Sequence, residues 1–390
     1  MVQSMRDWNR SLDREIRSID REVQKAGGFA LWSNSWRVRG LEMEMEDHRG
    51  EEAAKKEKSG EFLVAPVPFR NPQLGWGLAL GIAYLHRYDK TDHVSPPSTI
   101  GVAGMYTEND SAGAFLFYRG YLAQDTWRVV VAGGRVRVNY DFFGIGDDAG
   151  DNGISIPLQT RFDLVRVELL RRIAGDVFLG GIAQYGRTVS SLRANIPILP
   201  PEINKAELKI NTNALGFRTL WDTRNDTFYP TDGQLLDFSG LFFDEAWNAT
   251  YDYQVFEFAY NQYIEIDDAS VLAYRIYGKA TAGDVPFFAL AQYGTKSDIR
   301  GYIPGRYRDQ LMYAVQMEYR RKIWKRLGAA VFVGVGEIAP SVDQFFDNFL
   351  PAVGAGLRYQ LTSKTPINYR IDVAVGINEV VFYFAVGEAF

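Results

Sequence analysis

From residue 61 to residue 390 the chain is a run of short segments in which apolar and polar side chains alternate, separated by Gly, Asp, Asn and Pro turns. Alternation with a period of two belongs to strands whose two faces meet different surroundings. Sixteen segments begin near residues 61, 75, 98, 112, 125, 157, 176, 208, 234, 250, 270, 309, 328, 351, 366 and 380. Several reach about 15 residues, whereas soluble strands run to about 5–6 and a tilted membrane strand needs about 9–11. The phase is explicit in 311–320, where Leu311, Tyr313, Val315, Met317 and Tyr319 oppose Met312, Ala314, Gln316, Glu318 and Arg320. In 367–376, Ile367, Tyr369, Ile371, Val373 and Val375 oppose Asn368, Arg370, Asp372, Ala374 and Gly376.

A soluble sandwich also alternates. Strand length, an even count and 25 Phe, 22 Tyr and 8 Trp decide against it. The reading is an all-β fold, a 16-stranded antiparallel transmembrane β-barrel with an apolar exterior and a polar bore, because closure leaves no unpaired edge in lipid. No apolar run approaches the ~18–20 residues of a membrane helix, which a barrel does not need. In 125–139 the parity of Arg128 differs from that of Arg135 and Arg137, which points to a bulge. In the last segment Val380, Phe382, Phe384, Val386 and Phe390 share the apolar face, with Glu388 as the odd member at headgroup level.

Residues 1–60 differ in character from the barrel, 61–390. Trp8, Leu12, Ile16, Ile19 and Val23 form one apolar stripe at helical spacing within 5–25, and Gly27-Gly28 ends it. Residues 41–60 are highly charged and read as a solvated connector. The stripe could dock on a periplasmic or outer-membrane partner protein, lie on the membrane, plug the bore or be a poorly ordered tail. No apolar leader core precedes it, so a signal peptide is expected to be absent or removed.

The absence of cysteine excludes disulfides, thiolate metal sites and thiol nucleophiles. Three histidines, His48, His86 and His93, exclude a histidine-rich metal centre, and none is placed for a triad. No G-x-S-x-G or HExxH motif occurs. The bore-facing charges Arg218, Arg275, Lys279, Glu318, Arg370 and Asp372 read as a network or plug dock. No catalytic residue, metal or cofactor is therefore expected. A net charge of -5 without a long basic run argues against nucleic acid.

Four stretches go beyond a generic barrel: WDTRNDTFYPTDG (221–233), SDIRGYIPGRYRDQ (297–310), AAVFVGVGEI (329–338) and VVFYFAVGEAF (380–390). Together with APVPFRNPQLGWGLALG (65–81), they resemble the BamA/TamA-like outer-membrane assembly and translocation family, also called the bacterial surface antigen family. The resemblance implies a Gram-negative-type outer membrane location and a sixteen-strand barrel. It also implies a long loop folded into the bore, carrying Arg300-Gly301-Tyr302 as a latch, and a turn motif at Asp222, Arg224, Pro230 and Gly233. Glu318 matches the family's first acidic partner for that arginine. The second, an aspartate, is replaced by Gly334, so Arg300 is expected to keep one acid. Members usually carry POTRA modules before the barrel, and no complete one fits in residues 1–60.

The resemblance further implies a weak seam between first and last strands. Pro66 and Pro68 supply a physical cause, since both lack N–H and lie two apart on one edge. Phe382, Phe384, Gly387 and Phe390 stand on the other side. The expected function is assisted insertion or translocation of proteins, or other cargo, at the outer membrane, with lipid and unfolded barrel clients as partners. The alternative is a passive anchor or channel subunit for a partner complex.

Overall fold

A computed structural model describes residues 60–89, 92, 95, 98–193, 207–226, 229–295, 298–360 and 368–390. Trp8, Leu12, Ile16, Ile19 and Val23, with His48 and His93, lie outside the described residues. The first half of the sheet comprises β1 (Gly60–Asn71), β2 (Gly75–His86), β3 (Ser98–Thr107), β4 (Ala112–Leu122), β5 (Trp127–Phe142), β6 (Ile156–Ala174) and β7 (Val177–Leu192). It continues through β8 (Glu207–Asn211), β9 (Ala214–Asp222), β10 (Gly233–Phe243), β11 (Tyr253–Asp267) and β12 (Ser270–Gly283). The long connection that follows holds a small hairpin, β13 (Ala291–Gln292) and β14 (Arg308–Asp309). The sheet closes with β15 (Leu311–Trp324), β16 (Leu327–Ala339), β17 (Ala352–Gln360), β18 (Asn368–Gly376) and β19 (Glu379–Val386).

Each wall strand runs antiparallel to its neighbours, and β1 returns to β19. Segments β8 and β9 both pair with β7 and keep one register across Thr212-Asn213, so they form a single stave. The result is a closed barrel of sixteen staves. The tight turns Ala123–Thr126, Gly175-Asp176, Asp268-Ala269 and Lys325-Arg326 lie at one end with the connection 223–232, and the connections 143–155, 244–252, 284–310 and 340–351 lie at the other with the short turns 72–74, 108–111 and 377–378.

The pleat sorts the side chains. Leu78, Leu80 and Ile82 of β2, Val331 and Val333 of β16, and Ile371 of β18 all face outward and are exposed. Exposed apolar side chains on this scale exceed what a soluble monomer carries, and a lipid girdle accounts for them. The opposite parity is buried, as in Ala314, Gln316, Glu318 and Arg320 of β15.

Two expectations fail here. The ladder of β5 with β4 and with β6 is unbroken, so there is no bulge at Arg128. Arg128 points inward, where Asp125 holds it at 2.6 Å and its guanidinium lies 3.7 Å from the Phe178 ring. Arg135 and Arg137 are exposed on the outer face near the long-loop end, and Arg135 pairs with Asp163. Strands of 16 and 19 residues overrun the hydrocarbon, so outward charges there need no parity change.

The second failure concerns the last residues. Val380 and Phe382 face outward, but Phe390 is buried against Tyr263 and Ala273, and Glu388 is buried too. Gly387, at φ 85°, causes the difference. A left-handed residue breaks the alternation and turns 388–390 into the bore. We expect Gly387→Val to lower barrel stability by about 1–3 kcal/mol, read as a shifted urea midpoint in detergent. An unchanged midpoint would show that the inward turn does not depend on glycine.

Candidate functional site: a latched loop beside a thin seam

The connection 284–310 folds back inside the barrel, because its own apolar residues complete the core of the bore. Tyr293, Ile299, Tyr302 and Tyr307 are buried together with Tyr277, Met312 and Ile338 of the wall. The Tyr293, Tyr302 and Tyr307 rings stack edge to face, with centroids 5.1 and 5.7 Å apart. Each hydroxyl finds a partner: Tyr293 donates to the Leu350 carbonyl at 2.8 Å, Tyr302 to the Pro351 carbonyl at 2.7 Å and Tyr307 to Asp151 at 2.8 Å. Amphipathic tyrosines suit a surface that is apolar in the middle and polar at its margin.

Arg300 sits at the loop's deepest contact and is 1% exposed. Its Nη2 lies 2.5 Å from Glu318 Oε2 and its Nη1 2.8 Å from Asp372 Oδ2. The guanidinium also covers the Phe332 ring at 3.4 Å. Two carboxylates thus hold Arg300, not one. A Cβ at Gly334, where the family aspartate was expected, would come within 3.0 Å of Ile299 Cδ1 and 2.9 Å of the Val315 carbonyl. The site therefore takes its second acid from β18 and leaves Gly334 as a seat for the loop.

These carboxylates belong to a larger cluster. Arg320 bonds Glu318 at 2.6 Å, and Arg358 bonds Asp372 at 2.5 Å, Glu388 at 2.7 Å and Glu318 at 3.3 Å. Arg370 lies 3.3 Å from Asp372. Four guanidinium groups surround three carboxylates, and all seven residues are buried. The expectation for Glu388 at headgroup level is replaced by a place in this cluster, where Asn368 also donates to it at 2.7 Å. Arg218 anchors a second network, bonding Asp237 through both carboxylate oxygens and Glu168 at 2.7 Å. Arg275 donates to Asn261, and Lys279 to the Leu290 carbonyl in the loop.

Gly301 explains why a small residue follows the arginine. Its φ is 120°, and a Cβ would lie 3.2 Å from Ala352 Cβ and from the backbone of Val375 and Gly376. Its N–H donates to the Tyr383 hydroxyl at 2.9 Å. The N–H of Ile303 donates to Glu379 at 2.5 Å, and Arg306 Nη1 pairs with the same carboxylate at 2.6 Å. The loop therefore grips β18 and β19, the two staves that end the barrel.

On the far side of β19 lies the seam. Strand β1 pairs with β2 along its whole length, from Gly60 opposite His86 to Asn71 opposite Gly75. Among the described residues it meets β19 at one position, Arg70 opposite Phe384. In an antiparallel pair, alternate residues direct their N–H and C=O to opposite neighbours. Prolines cannot donate, so the unbroken ladder to β2 runs through residues 65, 67 and 69. The backbone of Pro66, Pro68 and Arg70 then faces β19. The next position of that parity is Pro72, so Arg70 has the only N–H among positions 66, 68, 70 and 72. The single paired position falls on it, and its side chain adds a bond from Nη1 to the Phe382 carbonyl at 2.8 Å. A cavity of about 40 Å³, lined by Arg70, Arg300, Arg370 and Tyr383, separates seam from latch.

The turn motif is a rigid corner at the tight-turn end. Arg224 forks onto Asp222 at 2.9 and 3.0 Å, with both buried. Pro230 is buried beside Tyr229, and Gly233, at φ 93°, leaves no room for a Cβ, which would come within 2.3 Å of the Thr223 carbonyl. Tyr229 of this corner lines one cleft with Arg320 and Arg358 of the cluster. Sequence reasoning overlooked Arg320, Arg358 and Glu379. Inward parity was the available signal for the two arginines, but parity names a face and not a partner.

A family model described as the Omp85 superfamily domain matches residues 97–390. Among curated proteins, none matches. Among solved structures, BamA from Haemophilus ducreyi lacking POTRA domains 1–3 aligns with a TM-score of 0.62 at 16% identity, over 86% of this chain and 71% of that one. CdiB from Escherichia coli aligns at 0.57 and 10% identity, over 85% and 63%. CdiB from Acinetobacter baumannii aligns at 0.53 and 13% identity, over 84% and 60%. At such identities these likenesses concern the fold, and the chain spans less than two thirds of either CdiB chain. The match of the family model over three quarters of the sequence, together with the sixteen-stave barrel and its inward loop, shows that the chain belongs to the Omp85 superfamily.

Proposed function

We propose that this barrel assists the insertion or translocation of proteins at the outer membrane, without chemistry of its own, by parting β1 from β19. The observation that carries the reading is the single paired position at Arg70, set beside a loop that hydrogen-bonds directly to β19. A seam with one backbone pair costs little to open, since a net backbone hydrogen bond contributes about 0.5–1.5 kcal/mol. The loop would hold the β18–β19 wall in place while β1 moves. Lipid and unfolded barrel clients are the partners this reading requires, and residues 1–60 are the segment assigned to a periplasmic or outer-membrane partner protein.

The test is a lock. The chain has no native cysteine, so Arg70→Cys with Phe384→Cys adds one disulfide across the paired position. Directly opposed strand residues stand about 4.5–5.5 Å apart at Cα, within the range a disulfide spans. In liposomes, the oxidised protein should lose client insertion and regain it on reduction. Full activity in the oxidised state would sink the gate.

A further inference from the structure

We infer that the tight-turn end of β15 and β16 holds a binding site for the phosphate of an anionic phospholipid headgroup. The residues are Arg320, Arg321, Lys322, Lys325, Arg326 and Arg358, which line one small cleft at the rim of the barrel. Among the described residues, no carboxylate lines that cleft. Glu318 and Glu388 bind Arg320 and Arg358 from deeper in the bore, and Asp267 sits 3.6 Å from Arg321 on the exposed side. Lys322, Lys325 and Arg326 are exposed and have no ion pair shorter than 4.0 Å among the described residues.

A second observation is independent of this charge count. Arg320 is 1% exposed, donates through Nε to Glu318 and through Nη2 to the Phe390 carbonyl, and leaves Nη1 without a hydrogen-bond partner. A buried donor left unsatisfied is costly, and Arg320 is one of the side chains that line the cleft. The cleft is about 20 Å³, enough for one oxygen but not for the body of a ligand. The ligand must therefore present an anionic oxygen and keep its bulk outside.

What lies outside is apolar. Ile323 and Trp324 of β15 and Leu357 and Tyr359 of β17 are each more than half exposed on the lipid-facing side. Lys325 Nζ stands 5.6 Å from the Trp324 ring, and Lys322 Nζ 5.9 Å from Tyr229. Cations immediately above an exposed tryptophan match the headgroup-over-acyl-chain order of a membrane interface. This favours a lipid phosphate over a free one. Short turns mark the periplasmic end of outer-membrane barrels, which assigns the site to the inner leaflet.

The experiment uses the full chain, delipidated in a non-ionic detergent and examined by native mass spectrometry. Phosphatidylglycerol should remain bound, and phosphatidylethanolamine and inorganic phosphate at the same concentration should not. Each surface cation contributes about 1 kcal/mol, a factor of about five. Lys325→Ala with Arg326→Ala should thus lower phosphatidylglycerol occupancy on the order of twentyfold, with the heat-modifiable gel shift confirming a folded barrel. Trp324→Ala, which removes no charge, should weaken the lipid but leave any binding of inorganic phosphate unaffected. Equal retention of both lipids, binding by the double variant at the unmodified level, or inorganic phosphate binding as tightly as the lipid would each overturn the proposal.

Discussion

Glu318→Ala should destabilise the barrel by about 3–5 kcal/mol, the range for a buried charge left without its partner. Arg300→Ala should cost clearly less. The difference follows from the cluster's composition. Glu318 is shared by Arg300, Arg320 and Arg358. Its removal leaves four buried guanidinium groups with Asp372 and Glu388 alone. Removing Arg300 instead leaves three of each sign, and the lost contacts are its two ion pairs, its hydrogen bond to Gln316 and its stack on Phe332. Urea unfolding in detergent, with the glutamate and arginine variants side by side, reads the order. If Arg300→Ala proves the more damaging, the cluster is not governed by charge balance.

Gly301→Val should release the loop while the wall survives. A β-branched residue at φ 120° meets strain of about 1–3 kcal/mol, and packing it where a Cβ already sits 3.2 Å from three neighbours adds about 1–3 kcal/mol. Limited proteolysis should then cut within 284–310, which the unmodified protein shields inside the bore, while the heat-modifiable shift of the barrel persists. Continued protection of the loop would mean that Tyr293, Tyr302 and Tyr307 hold it without the Arg300 turn.

The staves were legible because membrane strands must alternate, and the expected starts at 75, 98, 112 and 270 coincide with the observed ones. The latch was half legible. Inward parity and the family motif placed Glu318 opposite Arg300, but Asp372 lies 72 positions further along the chain, on a stave that comes near only after closure. Glu388 and Phe390 were misplaced because one glycine at positive φ turns all three residues after it into the bore, and alternation carries no mark of that turn. The outward Arg135 and Arg137 misled for another reason: a strand longer than the membrane is thick obeys two environments in turn.

The prolines of β1 also bear on whether its join with β19 can mend itself. Mismatched ladders ordinarily anneal by sliding two residues, which keeps every side chain on its proper face. Here such a slide trades one imino nitrogen for another, since positions 66, 68 and 72 are all proline. A slide of one residue would turn Val67 and Phe69 out of the core. Within 66–72 the closure is therefore stitched at one point by its chemistry, and any tightening must draw on the N–H groups of Phe62 and Val64, nearer the start of β1.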